Sequence, residues 1–304
     1  MDNYRSGFVT LLGRPNVGKS TLINKLIGEK ITITSPVAQT TRNKLKGILT
    51  TKKGQIIFVD TPGVHKPHHL LGEILVKNAK AAIKGVDVVI FVVDSNVVPG
   101  RGDQYIKDFL IANKAEFIVV LNKWDLVNKE FKNLRLEQYR KFLGDNIIFH
   151  AVSAFQGEGC SDLTDILLDF LPRGPLLYDK DTVSDQPLEN LLSDLVREQV
   201  LINTREEVPH SVAVKIEKIK KMQRKNGKEF TAVLAIIIVE SKSQKGILIG
   251  KKGSMLKTIG QKARINMKSF IDGSVYLELF VKVEPNWRKK ESKLVKLGYR
   301  EEVK

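Results

Sequence analysis

Cysteine is almost absent from this chain of 304 residues, with Cys160 as its only one. A single cysteine excludes an intrachain disulfide and a thiolate metal cluster, which favours a reducing, cytoplasmic compartment. Long hydrophobic runs are also missing, because the longest apolar stretches, such as 86–93 and 232–239, are far too short to cross a bilayer as helices. No signal peptide is recognisable. We therefore expect a cytoplasmic protein whose contact with a membrane, if it has one, is peripheral.

Acidic residues are too few to balance the basic ones. The sequence holds 34 Asp and Glu against 50 Lys and Arg, a formal net charge of +16. Such an excess implies a polyanionic partner, either a nucleic acid or an anionic membrane surface, and charge alone leaves both open. The length suffices for two domains, each with its own hydrophobic core.

Short β-rich runs alternate with helical patterns from the start of the chain to Pro172. We predict strands over 7–12, 46–51, 56–60, 86–94, 116–121 and 146–152. This alternation is typical of an α/β domain, in which helices cover both faces of a largely parallel sheet. A short turn at 52–54 joins the second strand to the third, which predicts a hairpin and hence a mixed sheet. Ligands of such sheets bind beyond the carboxyl ends of the strands.

A glycine-rich loop follows the first strand and leads into a helix. Its residues are Gly13, Arg14, Pro15, Asn16, Val17, Gly18, Lys19 and Ser20, and Thr21 continues the helix. This spacing is typical of a loop whose backbone N–H groups surround phosphates, while Lys19 reaches the terminal phosphates and the Ser20 hydroxyl binds Mg²⁺. The helix would direct its positive end at the same phosphates.

Three further polar motifs follow predicted strand ends: Asp60-Thr61-Pro62-Gly63, Asn122-Lys123-Trp124-Asp125 and Ser153-Ala154. The Asp60 carboxylate suits Mg²⁺, and Gly63 lets its N–H approach a γ-phosphate. Asp125 can accept hydrogen bonds from the ring N–H and the exocyclic amine of guanine, a donor pair that adenine lacks. A backbone N–H of Ser153-Ala154 could meet the guanine oxygen.

These four ordered motifs resemble the signature set of the Ras-like GTPase superfamily. The resemblance implies binding of GTP and GDP, hydrolysis of GTP, and Mg²⁺ as the cofactor. The run Gln39-Thr40-Thr41-Arg42 is similar to the switch segment of the bacterial branch, in which a threonine closes over Mg²⁺. Thr41 is our choice, with Thr40 as the alternative. The implied metal ligands are Ser20, Thr41 and Asp60, and the implied catalytic residues are Lys19, Asn16, Thr41 and Gly63.

Val64 departs from the superfamily pattern. Ras-like enzymes carry a glutamine here that orients the attacking water, and a valine cannot polarise water. In some relatives an asparagine at the position of Asn16 helps to bind a potassium ion, and the sequence leaves open whether this chain uses one. His65, His68 and His69 lie nearby, and their loop setting favours a solvated switch segment over a metal site.

The second half predicts an α+β domain. We place a helix over 187–204, strands over 210–219 and 230–240 with a charged turn at 220–228 between them, a helix from 243, a second helix to about 270, and a strand over 275–283. The predicted division is a GTPase domain over 1–172, a linker over 173–186, and a second domain over 187–304 that ends in a basic tail.

A Gly-x-x-Gly loop separates the two later helices of this domain. This order of elements resembles the type II KH domain, whose loop clamps the backbone of a few unpaired nucleotides. The resemblance assigns RNA contacts to Ile249, Gly250, Lys251, Lys252 and Gly253, and Arg288 and Lys289 are further candidates. Residues 245–304 carry a net charge of +9, with fifteen Lys or Arg and six Asp or Glu. Trp287 is either a stacking residue for bases or part of a solvated tail.

The combination of the two domains resembles the ribosome-assembly GTPases of bacteria along essentially the whole chain. The resemblance implies a monomer that binds small-subunit ribosomal RNA near its 3′ end and the small ribosomal subunit, with a further association with the inner face of the cell membrane. Two other functions stay open. One is an RNA-binding module in which the nucleotide is structural, and the other is a signalling GTPase at the membrane surface.

Overall fold

The strands predicted in the first half assemble into one sheet in the computed structural model, which describes residues 3–34, 45–60 and 70–299. The chain forms two units. The first extends to Asp185, and the second holds Gln186 onward together with the short stretches 33–34 and 70–71. Within the second unit, Ile33 is buried in the hydrophobic core and the Thr34 N–H donates to Glu198 Oε1 at 2.9 Å.

The sheet of the first unit has six strands in the described residues. They are β1 (Arg5–Leu12), β2 (Leu45–Thr50), β3 (Gly54–Asp60), β4 (Val88–Asp94), β5 (Phe117–Asn122) and β6 (Phe149–Ala151). Their spatial order is β2-β3-β1-β4-β5-β6. All neighbours are parallel except β2 and β3, which form an antiparallel hairpin. The predicted mixed, mostly parallel sheet is confirmed.

Helices cover both faces of this sheet. They are α1 (Lys19–Ile27), α2 (Leu70–Lys84), α3 (Arg101–Ala112), α4 (Lys132–Leu143) and α5 (Cys160–Phe170). Side chains of α1 and α5 join one hydrophobic cluster, and those of α2, α3 and α4 join a second. Strand β4 contributes alternate residues to the two clusters, Val88, Ile90 and Val92 to the first and Val89, Phe91 and Val93 to the second. Burial on both faces explains why its sequence is continuously apolar.

The segment predicted as a linker runs along the first unit as far as Asp185. Gln55 is fully buried, and its side chain accepts from the backbone N–H groups of Leu177 and Tyr178 at 2.8 and 2.9 Å. The Ile48 N–H donates to the Val183 carbonyl at 2.9 Å. These bonds attach 177–183 to the hairpin of β2 and β3, so the division between the units falls after this segment.

The second unit has a sheet of three strands in the described residues, β7 (Ala213–Gln223), β8 (Glu229–Val239) and β9 (Ser274–Val283), in that spatial order. The β7–β8 pair is antiparallel and the β8–β9 pair is parallel. The helices are α6 (Leu188–Asn203), α7 (Val208–Ser211), α8 (Lys242–Ile249), α9 (Ser254–Met267) and α10 (Glu291–Lys296). The predicted order of elements for a KH domain is confirmed.

Two predicted boundaries in this unit are wrong. The strand expected from His210 begins only at Ala213, because Pro209 sits in the first turn of the short helix α7, where its missing N–H costs nothing. The charged turn expected at 220–228 is shorter, because β7 continues to Gln223 and pairs with β8 as far as Glu229. Lysines on an exposed strand concealed this continuation.

Candidate functional site

The glycine loop at the carboxyl end of β1 is shaped by close contacts with its neighbours. A Cβ on Gly13 would collide with the Val92 carbonyl, and one on Gly18 would collide with the Asn122 side chain. Gly18 also has φ 96°, and Asn16 has φ 65°. These positions need glycine or asparagine because other residues rarely adopt left-handed backbone geometry. These contacts and backbone angles fix the path of the glycine loop into the start of α1.

Lys19, the first residue of α1, turns back over this loop. Its Nζ donates to the carbonyls of Gly13 at 2.9 Å and Arg14 at 2.8 Å. Burial lowers the pKa of Lys19 to about 8, and the nearby Asp60 carboxylate opposes that shift. A phosphate bound at the loop would favour the charged form of Lys19, because its negative charge would compensate for the hydration that burial removes.

Two oxygen ligands predicted for Mg²⁺ are buried. Asp60 ends β3 and is 1% exposed, and Ser20 is the second residue of α1. A carboxylate with a hydroxyl is an oxygen donor set that suits Mg²⁺. Among the described residues, no cluster of three or more His, Cys, Asp or Glu side chains could hold a metal ion by itself. Magnesium that binds with a nucleotide is held by one or two protein oxygens together with phosphate oxygens, a pattern that Ser20 and Asp60 fit.

Asn122 connects the glycine loop to the Ser153-Ala154 loop. Its buried Nδ2 donates to the Val17 carbonyl at 2.7 Å, and its Oδ1 accepts from the Ala154 N–H at 3.0 Å. The sequence assigned this residue to nucleotide binding, and the structure adds that it holds two loops together. Its neighbour Lys123 has φ 61° and pairs with Asp94 Oδ2 at 2.6 Å. Sequence reasoning missed Asp94, although its place at the end of β4 was a signal.

Asp125 lies in a short 3-10 helix, Trp124–Leu126, and its side chain is partly exposed. The Trp124 N–H donates to the Val152 carbonyl at 3.0 Å, which brings Asp125 beside the Ser153-Ala154 loop. In this structure the Ser153 N–H donates to the Glu158 carbonyl, and the Ala154 N–H donates to Asn122 as above. The predicted contact of these amides with a guanine oxygen stays a prediction.

Two further side chains near the glycine loop have settings that the sequence analysis did not predict. The Arg14 guanidinium pairs with the buried Asp103 at 2.8 Å, so its side chain is held against α3. Phe155, directly after Ala154, is 84% exposed and was not singled out by the sequence. An exposed ring at this point is available to a planar ligand.

Several predicted site residues lie outside the described residues. They are the switch segment Gln39, Thr40, Thr41 and Arg42, the residues Thr61, Pro62, Gly63 and Val64, and the histidines His65, His68 and His69. Their assigned roles therefore stay predictions.

The Gly-x-x-Gly loop of the second unit connects α8 to α9. Gly250 and Gly253 have φ of 70° and 79°, and Lys252 has φ 51°. A capping box between Ser241 and Gln244 fixes the start of α8. Lys251 and Lys252 are both exposed, and Ile249 is partly buried. The loop thus exposes two lysines between glycines, which have no side chains to keep the backbone of an RNA strand away.

A groove of about 380 Å³ adjoins this loop, between α9 and β9. It is lined by apolar and aromatic side chains with cations at its border, namely Leu256, Leu277, Leu279, Tyr276, Lys257 and Arg264. Gly260 keeps the groove open, because a Cβ there would stand 3.3 Å from Leu279. This shape suits unstacked bases next to a neutralised backbone.

The interpretation of Trp287 as a stacking residue or part of a solvated tail is wrong. Trp287 is 0% exposed, and its Nε1 donates to the Ser211 carbonyl at 2.8 Å. Its indole completes a core in which Tyr299 lies 6.0 Å away between ring centroids. Arg288 pairs with Glu240 and also donates to the His210 carbonyl. Of the three residues only Lys289 is exposed.

No helix in the described part of the chain combines the length and the hydropathy that crossing a membrane requires. Residues 8–123 match a family model described as a 50S ribosome-binding GTPase, and residues 207–288 match that of a KH domain.

Similar proteins extend along the whole chain. GTPase Era of Crocosphaera subtropica is 51% identical over 302 residues, which is 99% of this chain and 94% of that protein. GTPase Era of Heliobacterium modesticaldum is 45% identical over 303 residues, which rounds to 100% of each chain. A crystal structure of Era in complex with MgGDPNP and nucleotides 1506–1542 of 16S ribosomal RNA aligns with a TM-score of 0.91 at 36% identity, over 97% of this chain and 99% of that one. Aquifex aeolicus Era bound to GDP·AlF4⁻ aligns with the same values. The chain therefore belongs to the Era family of GTPases.

Proposed function

We propose that this chain is a GTP-hydrolysing switch that binds small-subunit ribosomal RNA through its KH unit and assists maturation of the small ribosomal subunit. One observation carries the proposal. The Era structure that aligns with 97% of this chain holds a magnesium nucleotide and a fragment of 16S ribosomal RNA together. The two glycine loops described above supply the matching chemistry in this chain.

The nucleotide half of the proposal rests on residues of the first unit. Lys19 neutralises the terminal phosphates, and Asp125 selects guanine through two hydrogen bonds. Ser20 and Asp60 would hold Mg²⁺, with Thr41 as the predicted third ligand outside the described residues. When bound, the ion neutralises charge that develops on the phosphates. Asn122 holds the glycine loop against the Ser153-Ala154 loop through its two hydrogen bonds.

Hydrolysis needs a water that Val64 cannot orient, so we extend the proposal to a potassium ion held with the help of Asn16. Asn16 is exposed in the glycine loop and has φ 65°. We expect turnover to fall when sodium replaces potassium, and Asn16→Ala to remove the difference. Equal rates in the two salts would reject the potassium ion and leave the GTPase activity standing.

The RNA half rests on the Gly-x-x-Gly loop and its groove. Lys251 and Lys252 offer exposed charge to a phosphate backbone, and the apolar groove receives bases. Lys289 is exposed and offers a further cation. Arg288 already pairs with Glu240, so its predicted contact with RNA would require that pair to open.

A second candidate function, a signalling GTPase at a membrane surface, is favoured by the net charge of +16 alone. We propose a cytoplasmic monomer whose association with the inner face of the membrane is secondary to RNA binding. Charge attracts anionic lipid and RNA alike, whereas a groove lined by apolar side chains beside a glycine loop recognises unpaired bases.

The test is a titration of the full chain with three probes at matched salt. They are a single strand from the 3′ end of 16S ribosomal RNA, a duplex of equal length, and vesicles of anionic lipid. Lys251→Asp combined with Lys252→Asp should abolish binding of the single strand, because two repulsive charges would then face the phosphates. Lys129→Asp with Lys141→Asp, two exposed positions of the first unit, is the control of equal charge. Preference for duplex or for vesicles would contradict the proposal.

A further inference from the structure

The three-stranded sheet of the second unit has two faces of different character. On β8 the alternate residues Thr231, Val233, Ala235 and Ile237 are buried, and the last three belong to the hydrophobic core that also contains residues of α6 and α9. The register pairs the intervening residues across the sheet: Lys218 with Leu234, Lys220 with Ala232, Met222 with Phe230, Ala232 with Tyr276, Leu234 with Glu278, and Ile236 with Phe280. Paired residues share a face. We call the face formed by these pairs the open sheet face.

Aromatic and apolar side chains are exposed on the open sheet face. Tyr276, Phe280 and Met222 are each about half exposed. Phe230 packs edge to face against Tyr276, with 6.5 Å between ring centroids. A shallow depression of about 480 Å³ is lined by Met222, Phe230 and Tyr276 among others. Exposed rings on a sheet are the platform on which single-stranded nucleic acids stack their bases.

The same face carries positive charge next to the rings. Lys218 and Lys220 both line the depression, and the ammonium of Lys220 lowers the pKa of Lys218. Two cations held this close repel one another and gain from an anion between them. The Arg224 guanidinium lies over the Phe230 ring at 5.5 Å. Rings flanked by cations match the alternation of bases and phosphates in a nucleic-acid strand.

The open sheet face is continuous with the groove beside the Gly-x-x-Gly loop. Strand β9 is the edge of the sheet, and its residues Tyr276 and Glu278 line both the groove and the depression. A strand that leaves the groove over Tyr276 therefore passes directly onto the open sheet face.

We propose that the open sheet face is a second surface for single-stranded RNA, which receives the continuation of the strand held at the Gly-x-x-Gly loop. The inference rests on the proposed RNA-binding function of this unit. Lys218 and Lys220 contact phosphates, Tyr276 and Phe280 stack on bases, and the exposed Glu278 carboxylate accepts from base amino groups such as cytosine N4. The Glu278 carboxylate also favours RNA over anionic lipid as the ligand of this face. A base can donate a hydrogen bond to it, whereas an anionic headgroup would only be repelled by it.

The test compares two lengths of one RNA strand from the 3′ end of 16S ribosomal RNA on the full chain. A strand of about 6 nucleotides fills the groove, and one of about 16 extends beyond it. Lys218→Glu with Lys220→Glu should weaken binding of the long strand at least about tenfold and reduce its log–log salt slope by about 1 to 2. It should leave binding of the short strand as in the wild type. Phe280→Ser should weaken the long strand about tenfold with little change in that slope.

Lys129→Glu with Lys141→Glu in the first unit matches the change in net charge. Thermal unfolding of each variant shows whether the fold is intact, and Phe280→Ser provides an independent variant if the lysine pair does not fold. If the open-face variants bind both strands as the wild type does, the inference is overturned and the proposed function stands. If Lys251→Asp with Lys252→Asp binds both strands normally, the proposed function itself fails. Loss of binding to anionic vesicles with unchanged RNA binding would assign the face to a membrane and overturn the inference.

Discussion

The two units each place a glycine loop at the start of a helix and put lysine there, yet the lysines differ in setting. Lys19 is held by two carbonyls at 2.8 and 2.9 Å, and burial lowers its pKa to about 8. Lys251 and Lys252 lie exposed on their loop. Lys19 is partly buried and has lost part of its hydration, so it depends more on its ligand for charge compensation than an exposed lysine does. The first loop is therefore suited to one tightly defined phosphate group, and the second to any passing backbone.

The largest effect expected from this comparison follows removal of Lys19. Lys19→Ala should weaken GTP binding at least about 100-fold, because solvent replaces charge-assisted hydrogen bonds poorly in a partly buried site. Calorimetric titration of the folded variant measures the change. Lys141→Ala, at an exposed position of α4, is the control and should bind as the wild type does. GTP affinity within a few-fold of normal in Lys19→Ala would refute the role of this loop.

The second-largest effect should be a loss of selectivity for guanine. Asp125→Asn replaces one acceptor by a donor, so GTP affinity should fall at least about tenfold while xanthosine triphosphate, which has a carbonyl at that point, gains. The ratio of the two dissociation constants is the measurement. Asp108→Asn on the exposed side of α3 should leave the ratio unchanged. An unaltered ratio in Asp125→Asn would remove Asp125 from base recognition.

A smaller effect, on proton uptake during GTP binding, follows from the lowered pKa of Lys19. In the free protein this lysine is protonated below about 8, and bound phosphates favour its charged form, so the complex holds the proton at higher pH. GTP binding at pH 8.5 should therefore take up most of one proton at this group, and at pH 7 much less. Calorimetry in two buffers of different ionisation enthalpy counts the protons. Equal uptake by the wild type and by Lys19→Arg, whose guanidinium does not titrate, would contradict the assignment.

The sequence predicted the fold well where a pattern was local. Glycine spacing, strand ends and the helix pair around Gly250–Gly253 depend on short-range geometry, and the architecture of both units is confirmed. Residues whose role comes from distant contacts escaped prediction. Trp287 looks like part of a basic tail, but its indole is fixed by the Ser211 carbonyl, 76 positions earlier. Asp94 acquires its role from Lys123 only when β4 and β5 become neighbours.

The same limit applies to the open sheet face and to the segment before Asp185. Lys218, Lys220 and Phe280 are far apart in the sequence and meet only through strand register. Gln55 recruits 177–178 through hydrogen bonds that no local pattern encodes. These features depend on contacts between distant residues, which local secondary-structure propensity does not reveal.

The most direct measurement of the contrast between the two loops is the salt dependence of both affinities in the unmodified protein. Single-stranded RNA should lose affinity steeply, with a log–log slope of about −0.7 for each phosphate contacted, since lysines that neutralise phosphates release the counterions condensed on the RNA. GTP, held at the partly buried Lys19 with magnesium kept saturating, should show a flatter slope because salt screens partly buried pairs less than exposed ones. A steep slope for RNA and a shallow one for GTP is the predicted result. Equal slopes, or a steeper one for GTP, would contradict the account that a partly buried charge holds the nucleotide and exposed charges hold the RNA.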